Sequence, residues 1–147
     1  MKTYIFKHSL LGVILGLSIL GCTEGDKFDY NKNMAFITGT ETTPVTKFVV
    51  EDTPSSYAVT ASTTDKVDKD VNVKFAIDRS LVETYNNEHN TKYYAIPEGA
   101  VTLEDADAVI QAGKAFSTPA TVKVISTEDF AEGRVYVVPV TMVEVDG

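Results

Sequence analysis

In Val71 to Asp78 (VNVKFAID), Val71, Val73, Phe75 and Ile77 alternate with Asn72, Lys74, Ala76 and Asp78. Successive side chains of an extended chain point to opposite faces. This spacing therefore predicts a strand with one face on a core and the other in water. The composition agrees. From Cys22 onward, 126 residues hold two leucines against 18 valines, five isoleucines and 17 threonines. β-branched side chains lose rotamer freedom in a helix and fit a pleated surface, so a mostly β fold is expected.

Outward from that strand, the turn signals divide the chain into short pieces. Upstream, strands are expected at Met34 to Thr38, Lys47 to Glu51 and Tyr57 to Thr63, with Pro44 and Pro54 in the loops between them. The charged run Asp65 to Asp70 reads as the turn of a hairpin joining Tyr57–Thr63 to Val71–Asp78. Downstream, Ser80-Leu81-Val82-Glu83 has the spacing of a capping box. It opens one short helix, Leu81 to Glu88, with Leu81, Val82 and Tyr85 on its apolar face. Four further strands are expected at Ala100–Leu103, Ala108–Gln111, Thr121–Ser126 and Arg134–Val145, with turns at Gly113 and Gly133. Pro139 cannot donate to a ladder, so an edge position or a bulge is expected there. About seven short strands and one helix over residues 34–147 predict an immunoglobulin-like β-sandwich.

The first 21 residues are chemically unlike the rest. Lys2 and Lys7 precede Leu10 to Leu20 (LLGVILGLSIL), eleven uncharged residues. As a helix they reach about 16 Å, half of a bilayer core, which is the pattern of a secretory signal peptide and not of a membrane span. Ile19-Leu20-Gly21-Cys22 resembles the bacterial lipobox, in which the cysteine is acylated and becomes the first residue after cleavage. Residues 1–21 are thus expected to be a lipoprotein signal peptide, with Cys22 the lipidation site and the membrane a partner through its lipid. Residues 22–33 are polar and acidic, and read as a tether; Glu24 and Asp26 loosely resemble the acidic export signal of Bacteroidetes surface lipoproteins. The expected location is the outer membrane, facing outward, with the periplasmic face as the alternative.

The whole chain has 147 residues and a formal charge of −8, and loss of Lys2 and Lys7 makes it −10. That balance argues against a phosphate-binding surface, so no nucleic acid partner is expected. Past the signal there is one histidine, His89, and Cys22 is the sole cysteine. A zinc site would have to be built from one imidazole and carboxylates, and a nucleophilic triad would depend on His89 at a fraying helix end, where it reads as a solvated histidine. The acidic groups Asp65, Asp68, Asp70 and Glu104, Asp105, Asp107 are each local to a turn, which suits solvation better than glycoside hydrolysis. The first group is interleaved with Lys66 and Lys69 and lacks a calcium-loop glycine. No enzyme, cofactor or metal is expected. Sugars are held by flat ring faces and hydrogen bonds, and Tyr85, Asn86, Asn90, Tyr93 and Tyr94 crowd into ten residues. They form the candidate ligand-binding group, although the same rings and amides would also serve to pin the helix to the sandwich.

The order of motifs after Val71 resembles a Bacteroidetes domain family of unknown function found near the N-terminus of surface lipoproteins. The matching residues are Tyr85, Asn86, Thr91, Tyr94, Ile96, Pro97, Gly113, Gly133, Tyr136, Pro139 and Val140, and the resemblance runs from Met34 to Val145. It implies an immunoglobulin-like accessory domain, which in relatives precedes a chitinase-class endoglycosidase or lectin-like modules in glycan-capture systems. The sequence ends at Asp146-Gly147, so an activity belonging to a downstream module is not expected of it. The function expected is a non-catalytic glycan-binding or spacer element in polysaccharide utilisation, with glycan or outer-membrane glycan-uptake proteins as partners. The alternative is a structural or adhesive subunit that associates through strand edges, suggested by the Val/Thr-rich strand after Pro139.

Overall fold

The structure, a computed structural model, describes the backbone of residues 2–7 and the whole of residues 33–147. Its strands in chain order are β1 (Lys2–Lys7), β2 (Ala35–Ile37), β3 (Val45–Val49), β4 (Ser55–Val59), β5 (Ala61–Thr63), β6 (Val71–Ile77), β7 (Tyr93–Ala95), β8 (Val101–Glu104), β9 (Asp107–Ile110), β10 (Ala120–Val124) and β11 (Val135–Asp146). One helix, α1 (Leu81–His89), stands between β6 and β7. Cys22, the apolar run Leu10–Leu20 and the tether up to Lys32 lie outside the described residues. Asn33 is described and is anchored: its side chain accepts from the Thr64 hydroxyl and the Asp65 amide, and donates to the Asp65 carbonyl.

The fold is a β-sandwich. One sheet runs β3-β1-β11-β6-β9, with β7 also pairing with β11; the other runs β4-β10-β8. The ribbon β2-β5 closes a side, where Ser62 bridges to Phe116. In β6 the alternation works as its sequence predicts, with Val73 and Phe75 buried and Asn72 and Lys74 exposed. The core between the layers holds Ile37, Val59, Phe75, Ile110, Val122, Val124, Val138 and Met142, all fully or nearly fully buried. A second, smaller cluster lies under α1, where Val82 and Val137 pack with Val45, Leu81, Tyr85, Tyr93 and Ala95. β11 is therefore covered on both faces, and its apolar run VYVVPV follows from that.

Five sequence expectations meet a different outcome, each for a physical reason. Tyr57–Thr63 is divided at Thr60, because β4 pairs with β10 while β5 pairs with β2. It forms no hairpin with β6. Val67, in the intervening charged run, is buried, donating to the Lys114 carbonyl and accepting from the Gly113 amide. That contact carries the chain across the sandwich. The Ser80 hydroxyl does not cap α1; it donates to the Asp78 carboxylate. Pro139 occupies neither an edge nor a bulge. It stands in the gap between the end of β7 and the end of β6, where its carbonyl accepts from Asp78. The bulge falls three residues on, between Met142 and Glu144. The count of about seven strands is exceeded because of the split at Thr60 and because Lys2–Lys7 and Tyr93–Ala95 are strands.

Candidate functional site

The candidate residues sit where α1 meets β7, and Asn86 makes that junction. Its amide donates to the Tyr93 carbonyl at 2.9 Å, and its oxygen accepts from the Tyr93 amide at 2.9 Å and the Thr91 hydroxyl at 2.8 Å. Both lone pairs of that oxygen are engaged and one N–H remains. Asn86 therefore fixes a strand against a helix and has little left for a ligand. Asn90 ends α1 in the left-handed region, φ 52°, with its amide donating to the Asn86 carbonyl. Such a cap favours Gly or Asn, the residues that tolerate this conformation.

The rings separate into two groups because β7 alternates. Tyr93 faces α1 and stacks on Tyr85, with centroids 6.0 Å apart and planes 18° apart. Tyr85 in turn stacks on His89 at 4.1 Å and 27°, as residues four apart on one helix face must be neighbours. The result is a row of three rings, Tyr93, Tyr85 and His89, with the two tyrosines half-buried and His89 exposed. Partial burial and the neighbouring Tyr93 raise the Tyr85 phenol above its usual 10.0. Tyr94 belongs elsewhere. It is 42% exposed, lies 6.1 Å from Tyr136, and carries the Arg134 guanidinium over its ring at 4.6 Å. Behind it Phe130 stacks on Tyr136, whose hydroxyl accepts from the Ala131 amide.

The sequence group thus divides: Tyr85 and Tyr93 come together, Asn86 and Asn90 shape the support, and Tyr94 goes to another surface. His89 and Arg134 were not among the candidates. The i, i+4 spacing of Tyr85 and His89 was the available signal for the first; for Arg134 there was none, since it meets Tyr94 only through the pairing of β7 with β11.

Of the acidic groups, Asp65 is engaged within its own turn, while Asp70 and Glu104 tie distant segments together. The Asp65 carboxylate accepts from Lys66, that of Asp70 accepts from Ala112, and Glu104 pairs with Lys123 at 2.7 Å. Among the described residues no group of three or more His, Cys, Asp or Glu is placed to hold a metal ion. Nor is any helix among them long and apolar enough to cross a membrane. A shallow cleft of about 270 Å³ at the β6–β9 edge is lined by Asn72, Val73, Lys74, Asp107, Ala108, Val109 and Glu144, and offers no ring.

Comparison with known proteins places this architecture. No curated protein matches the chain. Among solved structures, a Bacteroides ovatus protein provisionally described as carbohydrate binding is similar at TM-score 0.59 and 24% identity, over 67% of this chain and 30% of that one. A multidomain protein including DUF1735, also from Bacteroides ovatus, is similar at TM-score 0.53 and 19% identity, over 64% and 33%. EndoBT-3987 of Bacteroides thetaiotamicron, solved with a Man5GlcNAc product, is similar at TM-score 0.50 and 24% identity, over 60% and 21%. The chain spans a third or less of each, and at these identities the likeness is one of fold. A family model described as a "-like, N-terminal domain" matches residues 29–147. The chain belongs to that family of N-terminal domains.

Proposed function

We propose that the chain is a lipoprotein of the outer membrane, held through acylated Cys22 and facing outward, whose β-sandwich is a non-catalytic glycan-binding or spacer element in polysaccharide utilisation. The observation that carries the glycan reading is the ring row Tyr93, Tyr85 and His89. Stacking covers the face of Tyr85 that meets His89, so what the row offers to the apolar face of a sugar is the outer face of exposed His89, backed by Tyr85. The setting of the fold supports it: related folds occur within a protein provisionally described as carbohydrate binding and within EndoBT-3987, solved with a Man5GlcNAc product. The likeness takes in 21% of the EndoBT-3987 chain and is one of fold. The location rests on the leader and on Gly21-Cys22.

A glycan array probed with the purified chain tests the reading. Retention of a glycan, weakened several-fold by His89→Ala with the folding transition unchanged, is the expected result, and the retained glycan should be recovered uncleaved. If no glycan is retained and the chain does not co-purify with outer-membrane glycan-uptake proteins, the proposal fails.

A further inference from the structure

β1 occupies the middle of a sheet, yet it is built from Lys2–Lys7, on the far side of the expected cleavage at Cys22. It runs parallel to β11, with Thr3 to Lys7 in register with Tyr136 to Val140. It runs antiparallel to β3, with Lys2 to Phe6 opposite Val49 to Val45. Among the described strands, β1 is the ladder partner of β3. Strands in a sheet are spaced by about 4.8 Å, so loss of β1 opens a gap of about two spacings between β3 and β11.

Both walls of that gap stand without β1. β3 is tied to the opposite layer, since Phe48 packs on the main core and meets Tyr57 of β4 edge-on at 5.7 Å. β11 is held by β6 and β7 on its other side. The backbone of β11 also faces the gap with its donors intact. The Val137 and Pro139 carbonyls accept from Ile96 and Asp78, away from β1. Alternation then turns the peptide groups of Tyr136 and Val138 toward β1, and the missing proline N–H falls on the other side.

We infer that the position between β3 and β11 is a docking slot for one extended strand, donated by a second protein once the leader has gone. This rests on the lipoprotein reading for the removal of β1, and adds a partner class to it. The donated strand runs parallel to β11 and antiparallel to β3, about five or six residues long, and carries neutral apolar side chains as Thr3-Tyr4-Ile5-Phe6 does. Main-chain ladders supply the affinity, and the register against Tyr136, Val138 and Val140 supplies selectivity. The chain's own residues 23–32 are a poor match. They carry Glu24, Asp26 and Asp29 with Phe28 and Tyr30 as their apolar points, and would set carboxylates beside an apolar core.

Hydrogen exchange read segment by segment tests this. In the full chain, Ile5→Pro is expected to speed exchange at Val45–Val49 by about tenfold or more while β6 and β10 keep their protection. A free hexapeptide of the sequence KTYIFK should restore that protection; the same peptide with proline at its fourth position should not. A chain starting at Cys22 should behave like the Ile5→Pro chain, and the Ile5→Pro chain decides the matter if the shortened one does not fold. The proposal is overturned if Ile5→Pro leaves Val45–Val49 protected, if KTYIFK restores nothing, or if a DKFDYN peptide from residues 26–31 restores protection equally. Monomeric shortened chain with Val45–Val49 already protected would also overturn it. Processing at Cys22 is checked separately by the mass of the membrane-extracted chain, so failure of the slot and failure of the lipoprotein reading are distinguishable.

Discussion

The Asn86 side chain ties α1 to β7 through hydrogen bonds to Tyr93 and Thr91, and its removal separates a structural role from a binding role. Asn86→Ala removes two hydrogen bonds to the Tyr93 backbone in a half-buried place, at a cost of about 1–3 kcal/mol. The denaturation midpoint should fall with an unchanged slope. Tyr85 gives a second reading at this scale. Burial first, and Tyr93 second, raise its phenol in the folded chain. The unfolded chain then loses that proton at lower pH than the folded one does. The stabilisation is complete below the ordinary value of 10.0 and is lost as pH climbs through the raised folded value. Tyr85→Phe should flatten the alkaline decline in stability measured by denaturant titration at successive pH values.

At the scale of elements, what local pattern controls was legible and what pairing controls was not. The alternation of β6 and the helix at Leu81 follow from spacing within a few residues, and the structure keeps both. The split at Thr60 depends on which distant strand each half meets, and Val67 enters the core through Lys114 and Gly113, far along the chain. The three residues of β7 lack a period of their own, so no strand is expected there from sequence; the Asn86 side chain and β11 hold them extended. The candidate site divided for the same reason, since a strand at 93–95 sends Tyr93 and Tyr94 to opposite faces. The helix end is a test of role. If Asn90 serves only as the left-handed cap, Asn90→Ala should cost about 1 kcal/mol and Asn90→Gly should not, with glycan retention equal in both. Thermal melts beside a retention assay decide it.

For the whole molecule, the sandwich follows from the abundance of Val, Ile and Thr and from short segments punctuated by turns, both readable in the chain. Lys2–Lys7 was read one way from sequence and takes another place in the structure. Lys-Thr-Tyr-Ile-Phe-Lys suits the basic start of a leader, and it also suits a strand, because β-branched and aromatic residues between lysines satisfy both patterns. On the proposed cleavage at Cys22 the two states would belong to one chain before and after processing, and the cysteine would then govern the completeness of the sheet as well as the anchor. Acylation at the proposed site would supply about 0.8 kcal/mol per buried methylene, and two or more acyl chains would hold a domain whose own charge of −10, with residues 1–21 removed, is repelled by anionic lipid. Cys22→Ala should therefore abolish incorporation of labelled palmitate and leave a precursor of full length. In that precursor β1 should remain in the sheet, and exchange at Val45–Val49 should stay slow. Palmitate incorporation unaffected by the substitution would refute the anchor. Fast exchange at Val45–Val49 in an uncleaved precursor would show instead that Lys2–Lys7 does not hold the strand position.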